Sequence, residues 1–202
     1  MSPAGTLADA LPLAGADVVY CPDWLTRADA DACLSGLLEE IPYSQHRVRL
    51  FGREHASPRL SAWIGDVDAV YRYSGVRHEP LPWTPTTGAL RERLRLRENI
   101  DTNSVLVNRY RDGADSMGWH ADDERELGAE PVIASISLGA PRVFRLRARS
   151  AGGEALAIEL GHGSLLLMRG QTQALYRHAL PKTRKAVGER VNLTFRWVRR
   201  RA

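Results

Sequence analysis

A mainly β fold with flanking α-helices is predicted by three observations. Two early segments carry leucines at helical spacing, six later segments read as strands, and turn signals such as Asp112-Gly113, Gly152-Gly153 and Gly161-His162-Gly163 separate the strands. Two helices followed by many short strands predict a β-sandwich or barrel backed by helices. No internal repeat or linker interrupts the chain, and 202 residues suit one domain with a sizeable core.

Residues 1–16 are small and rich in Pro, Gly and Ala, and are expected to form a flexible N-terminal arm ahead of a single domain over 17–202. Leu34, Leu37, Leu38 and Ile41 share one helical face, so a helix is predicted over 27–41, with Thr26 as N-cap and Pro42 as its stop. Residues 47–73 read as short strands broken at Gly52, Pro58 and Gly65. Leu90 and Leu94, set among charged residues, predict a second helix over 86–97. Strands are then predicted over 104–110, 132–138, 143–149, 156–160, 164–168 and 190–198.

Composition excludes several classes. Apolar residues make up 44% and charged residues 26%, as in soluble globular proteins. Cys21 and Cys33 are the only cysteines, too few for a disulfide framework or a cysteine-based zinc site, which favours a cytoplasmic location. No basic residue precedes Arg27, so a signal peptide is not expected, and no apolar run approaches the roughly 18 residues of a membrane span. Charge is uneven: residues 142–202 hold 14 Lys+Arg against 3 Asp+Glu, a balance of +11, so the total of +4 leaves −7 for residues 1–141. A face so biased suits a polyanionic partner, although several of these arginines could equally serve structure.

Chemistry is concentrated in three stretches: Trp119-His120-Ala121-Asp122, the lone His178, and Arg190-Val191-Asn192-Leu193-Thr194-Phe195-Arg196. Side chains two apart on a strand point the same way, so His120 and Asp122 could grip one ion together. A third ligand must come from elsewhere, and His178 is a candidate, although a lone histidine is more often a surface or hydrogen-bonded side chain. Two histidines and a carboxylate can occupy one face of a ferrous ion and leave positions open for chemistry. On the last strand Arg190, Asn192, Thr194 and Arg196 share one face, opposite Val191, Leu193, Phe195 and Trp197. Such a polar face either points into water at a sheet edge or lines an interior that binds something charged. Arginine forks onto carboxylates, which makes a dicarboxylate a suitable guest.

These residues resemble the AlkB-type 2-oxoglutarate- and Fe(II)-dependent dioxygenases from about Glu40 to Trp197. The resemblance is carried by Asn108-Arg109-Tyr110, the run His120-Ala121-Asp122-Asp123-Glu124-Arg125-Glu126-Leu127, Ile133 to Gly139, His162-Gly163-Ser164-Leu165-Leu166 and Arg190 to Arg196. It implies a double-stranded β-helix (jelly roll) with Fe(II) held by His120, Asp122 and His178, and with 2-oxoglutarate and O2 as co-substrates. Arg196 would then be the main partner of the far carboxylate of 2-oxoglutarate, with Arg190 reaching both co-substrate and the Asp122 side. Asn108, Tyr110, Asn192 and Thr194 would supply hydrogen bonds. The implied reaction converts an N-methyl group on a base to a hydroxymethyl that leaves as formaldehyde, while 2-oxoglutarate becomes succinate and CO2.

The resemblance also places a nucleotide-recognition region at about 43–80. Arg47-Val48-Arg49-Leu50-Phe51-Gly52 resembles the hydrophobic finger of family members acting on duplex DNA, with Phe51 as a wedge and Arg49, Arg53 and Arg59 meeting phosphates. An ordinary strand with Val48 and Leu50 inward is the competing reading. Tyr73, beside Tyr71, would stack on a flipped base, and Glu124 or Asp123 would read its exocyclic edge. Ile64 departs from the pattern, standing after Ala62-Trp63 where relatives usually show tyrosine, and is expected to alter the lid over the base. The expected partner is nucleic acid, DNA first, double-stranded in its closest pattern, and the expected state is a monomer with no membrane contact. RNA (transfer RNA above all) or a protein side chain is the alternative substrate.

Overall fold

The structure is a computed structural model, and it describes residues 9–50, 53–73, 76–150, 152–153 and 155–199; side chains at 47–50, 53–55, 71–73 and 76–78 are outside the description. In chain order the elements are β1 (Asp9–Ala10), β2 (Asp17–Cys21), α1 (Arg27–Glu40), β3 (Arg47–Leu50), β4 (Arg53–Ala56), β5 (Leu60–Gly65), β6 (Tyr71–Tyr73), β7 (Val76–His78), α2 (Pro85–Glu98), β8 (Ser104–Tyr110), β9 (Met117–His120), a 3-10 turn (Arg125–Leu127), β10 (Ile133–Gly139), β11 (Arg142–Ala148), β12 (Ala155–Leu160), β13 (Ser164–Arg169), α3 (Thr172–Leu175), β14 (Tyr176–Leu180) and β15 (Arg190–Arg196).

Two antiparallel sheets form the core, a seven-stranded one ordered β1-β2-β13-β10-β15-β8-β5 and a four-stranded one ordered β12-β11-β14-β9. This is the expected jelly roll. Helices α1 and α2 cover the outside of the large sheet. Thr26 caps α1 by accepting from the Asp29 N–H, and Thr84 with Thr87 forms a reciprocal capping box at α2, with Pro85 in its first turn. Leu37, Leu90 and Leu94 pack there against Val105, Val107, Ile136, Leu193 and Phe195, all essentially inaccessible. A second apolar cluster, with Leu146, Leu160, Leu166, Ile133 and Met168, lies between the sheets. The pocket occupies the rest of that inter-sheet space.

The turn from β10 to β11 needs a glycine. Gly139 has φ +87°, and a Cβ there would meet the Glu189 carbonyl oxygen at 2.4 Å. That close approach lets β10 pair with β15 from Ala134–Phe195 to Gly139–Arg190.

Several expectations change. The segment expected as a loose arm is tied down at its end: β1 pairs with β2, Leu13 is buried, and Tyr176 donates its hydroxyl to the Ala14 carbonyl. Ile64 is fully buried in the helix-side core, so it packs the scaffold and is not a lid over a base. Trp197 lies beyond β15 and is half-exposed. No helix among the described residues is long and apolar enough to cross a membrane.

Candidate active site

Strands β9 and β14 pair so that His120 faces His178, both directed between the sheets. Their Nε2 atoms lie 3.1 Å apart, and Asp122 Oδ2 lies 3.9 Å from His178 Nε2. One donor atom from each of the three residues falls within 4.8 Å of the others. Two nitrogens about 2.1 Å from one ion and at a right angle would stand about 3.0 Å apart, so the spacing fits a shared metal. The His120 Nδ1–H donates to the Gly118 carbonyl at 2.8 Å, which leaves Nε2 with a free lone pair. Burial, reinforced by His120, pushes His178 down to about 3, so its imidazole is neutral as metal binding requires. Burial alone would raise the Asp122 carboxyl, but the Arg196 guanidinium beside it holds it below the usual carboxylate range. Two imidazoles and an ionised carboxylate on one face are a donor set suited to Fe(II).

Asp122 is placed differently from the expectation. Strand β9 ends at His120, so Asp122 stands in the following loop and not two positions along a strand. Two other elements fix it. Arg196 donates to Oδ1 at 2.6 Å, and the Asp122 backbone N–H donates to the Gln173 side-chain oxygen at 2.9 Å. Gln173 is fully buried on α3, directly ahead of the strand that bears His178. It was missed in the sequence because nothing in its spacing links it to His120 or Asp122.

The polar face of β15 is interior. Every residue of the strand is buried, because β15 sits in the middle of the large sheet between β10 and β8. This settles the choice between an exposed edge and a lined interior, and the two arginines divide differently from the expectation. Arg196, not Arg190, is on the Asp122 side. Arg190 lies at the other end of the pocket, donating to Ser137 Oγ at 2.8 Å with its guanidinium 5.2 Å from the Tyr110 ring centre. Burial lowers its pKa to about 10, which leaves it cationic at neutral pH, and its Nε is buried without a hydrogen-bond partner among the described residues. A buried cation so placed calls for an anion.

Between the metal donors and Arg190 lies a pocket of about 470 Å³ including its open mouth, lined by Asn108, Tyr110, Ser135, Asn192 and Thr194 among others. Asn192 donates to Ser135 Oγ and the Ile136 carbonyl, both at 2.9 Å, and Thr194 donates to Asn192 Oδ1 at 3.3 Å. These polar groups are already ordered by one another.

The expected base-recognition residues fare unevenly. Arg59 is buried and donates to Asn108 Oδ1 at 2.8 Å, so it braces the pocket wall and does not meet phosphates. Asp123 is ion-paired with Arg149 and is thereby drawn toward α3. Glu124 keeps a buried carboxylate oxygen without a partner among the described residues. Phe51 lies outside the described residues, as do the side chains of Leu50, Tyr71 and Tyr73; only the strands carrying Leu50 and the tyrosines are defined.

Comparison with known proteins agrees with this geometry. The 2OG-Fe(II) oxygenase superfamily matches residues 17–196, and the chain belongs to that family as an AlkB-type member. It is 41% identical over 180 residues to the DNA oxidative demethylase ALKBH2 of Bos taurus, covering 84% of this chain and 65% of that protein. It is 40% identical over 190 residues to the alpha-ketoglutarate-dependent dioxygenase alkB homolog 3 of Rattus norvegicus, covering 90% of this chain and 64% of that protein. The chain thus spans about two thirds of the length of these relatives. The solved structure of OsALKBH1 shares the fold, with a TM-score of 0.62 at 18% identity over 95% of this chain and 100% of that one. The family uses Fe(II), 2-oxoglutarate and O2, and the residues present fit them.

Proposed function

We propose that this chain oxidatively removes alkyl groups from ring nitrogens of bases such as 1-methyladenine and 3-methylcytosine in DNA. The observation that carries the reading is a buried, carboxylate-seeking Arg190 at the opposite end of one pocket from a His120–Asp122–His178 donor set. The DNA substrate is drawn from the named relatives.

His120, Asp122 and His178 would hold Fe(II), and Arg190 with Tyr110 would receive the far carboxylate of 2-oxoglutarate. When bound, Fe(II) with 2-oxoglutarate and O2 supplies the oxidation, the co-substrate leaving as succinate and CO2. Arg196 holds Asp122 ionised and oriented, and Gln173 fixes the backbone beneath it. The apolar floor formed by Leu106, Phe144 and Leu160 excludes water. Oxygen inserted into a C–H bond of the N-methyl group would give an N–CH2OH group, whose N–C bond then breaks to release formaldehyde and leave an N–H without a side-chain base. Glu124, with a buried carboxylate oxygen that has no partner among the described residues, would hydrogen-bond the exocyclic amine of a flipped base. Leu50 and Phe51 fill the gap left in a duplex, and Tyr73 stacks on the base.

The test is repair of matched single- and double-stranded oligonucleotides containing 1-methyladenine, with Fe(II), 2-oxoglutarate and ascorbate, following formaldehyde and base mass. Repair with stoichiometric formaldehyde is expected. Turnover of 2-oxoglutarate with no repair on either strand form would remove DNA as the substrate and shift the reading to RNA or a protein side chain.

A further inference from the structure

The four-stranded sheet has an outer face that the pocket does not use. Strand β11 alternates inward Arg142, Phe144 and Leu146 with outward Val143, Arg145 and Arg147, and β14 sends His178 inward and Arg177 outward. Register sets Arg147 directly opposite Arg177 on one side and Ala155 on the other, and sets Arg145 between Ala179 and Ala157. Arg147 reaches across β14 and lies 4.3 Å from the ring centre of Trp119, which is 39% exposed. Like charges directly opposed on neighbouring strands are unfavourable. Even so, Arg145, Arg147 and Arg177 form no ion pair among the described residues. Among the described residues, Asp123 is held by Arg149, and Glu159, opposite Val143 and diagonal to Arg145, forms no ion pair with it.

Three guanidiniums on one sheet face, flanked by alanines and ending at a half-exposed indole, match a chain of phosphates that also carries aromatic faces. Arginine favours phosphate oxygens, and stacking on an aromatic ring tolerates any base. An acidic peptide would satisfy the guanidiniums but would make no use of Trp119. We propose that the outer face of β11, β14 and β9 is a second contact surface, outside the pocket, for the backbone of single-stranded nucleic acid. Trp119 directly precedes the candidate ligand His120, so a strand leaving the pocket over the β9 edge meets the indole first and the arginine row next. The proposal rests on the nucleic-acid reading of the substrate, and it explains why the basic half of the chain has charge left over after Arg142, Arg190 and Arg196 are buried inside.

The test uses the full chain loaded with Mn(II) and 2-oxoglutarate and the double variant R145A/R177A, two exposed positions away from the pocket. Fluorescence anisotropy of a labelled, lesion-free single strand of about 20 nucleotides is measured across a salt series. Loss of two phosphate contacts is expected to flatten the slope of log affinity against log salt by about 1.4. Demethylation of a methylated trinucleotide should keep its wild-type rate, while a long substrate should show raised KM at unchanged kcat. Equal salt slopes and equal KM for wild type and variant would overturn the proposal. So would polyglutamate displacing the strand from wild type, at equal charge, better than unlabelled oligonucleotide does, since the face would then belong to an acidic protein. Binding of a lesion-free strand is independent of repair. Failure to demethylate any oligonucleotide would therefore count against the proposed activity, with the face still judged by its salt slopes.

Discussion

Replacing Arg190 with methionine separates co-substrate binding from every other role of the pocket. The guanidinium is wholly buried, is steadied by Ser137 and Tyr110, and has an Nε with no partner among the described residues. Truncating one side of a buried, hydrogen-bonded charge pair costs about 2–5 kcal/mol. At about 1.4 kcal/mol per factor of ten, the Kd for 2-oxoglutarate should rise roughly 30- to 4,000-fold. Stability of the protein without co-substrate should move the other way or not at all, because the variant no longer buries an unpaired cation. Titration calorimetry on the Mn(II)-loaded protein, run beside thermal melts without co-substrate, reads both quantities. A keto acid lacking the far carboxylate, such as 2-oxobutyrate, supplies the control and should bind variant and wild type alike. Equal weakening of both keto acids, or an unchanged Kd for 2-oxoglutarate, would refute the assignment of Arg190 to the far carboxylate.

Other outcomes follow from the same geometry. His178→Ala should abolish Mn(II) binding as well as turnover, and retained metal affinity would remove His178 from the donor set. Gln173→Leu leaves the Asp122 N–H buried and unpaired, so Mn(II) affinity should fall about 10- to 100-fold; an unchanged affinity would show that Arg196 alone positions Asp122. Burial alone would raise the Asp115 carboxyl, but the Arg111 side chain and backbone N–H, which donate to it at 2.8–2.9 Å, hold it below the usual range. The stability it contributes is therefore full above its ordinary value near 3.8 and is lost as pH falls through the lower folded value. Asp115→Asn should cost about 1–3 kcal/mol at neutral pH and flatten the acid limb of urea-melt stability against pH, and an unaltered acid limb would contradict this. Phe51→Ala should lower activity on duplex more than on single strands, whereas equal loss on both would count against a wedge.

Legibility in the sequence followed the strength of local patterns. The helices and strands β8, β10 to β13 and β15 carry clear periodicity, and their observed bounds shift by one or two residues at most positions. Strands β1, β2, β7, β9 and β14 and the short α3 have no pattern that the sequence reveals. Met117-Gly118-Trp119-His120 is too short and holds a glycine, and in Tyr176–Leu180 four of five residues are buried, so no alternation survives. The donor set was readable because its residue types are rare and ordered. The split between Arg190 and Arg196 was not, because it depends on which end of β15 meets the loop after β9. Arg59 misled for a related reason: a basic residue after Ser57-Pro58 looks exposed, and only the pairing of β5 with β8, which sets Ser61 opposite Asn108, turns it inward.

The central position of β15 has one more consequence. Its odd and even positions obey opposite solvents, with Val191, Leu193 and Phe195 in the helix-side core and Arg190, Asn192, Thr194 and Arg196 in the pocket. A slip of one residue against β10 or β8 would drive two guanidiniums into hydrocarbon and three large apolar side chains into the polar cleft. Such a chain has no stable alternative to fall into. The pocket is therefore also the proofreader of the fold: a molecule that holds its tertiary structure has, by that fact, aligned its binding groups, and errors of assembly appear as unfolded protein rather than as folded protein with a faulty site.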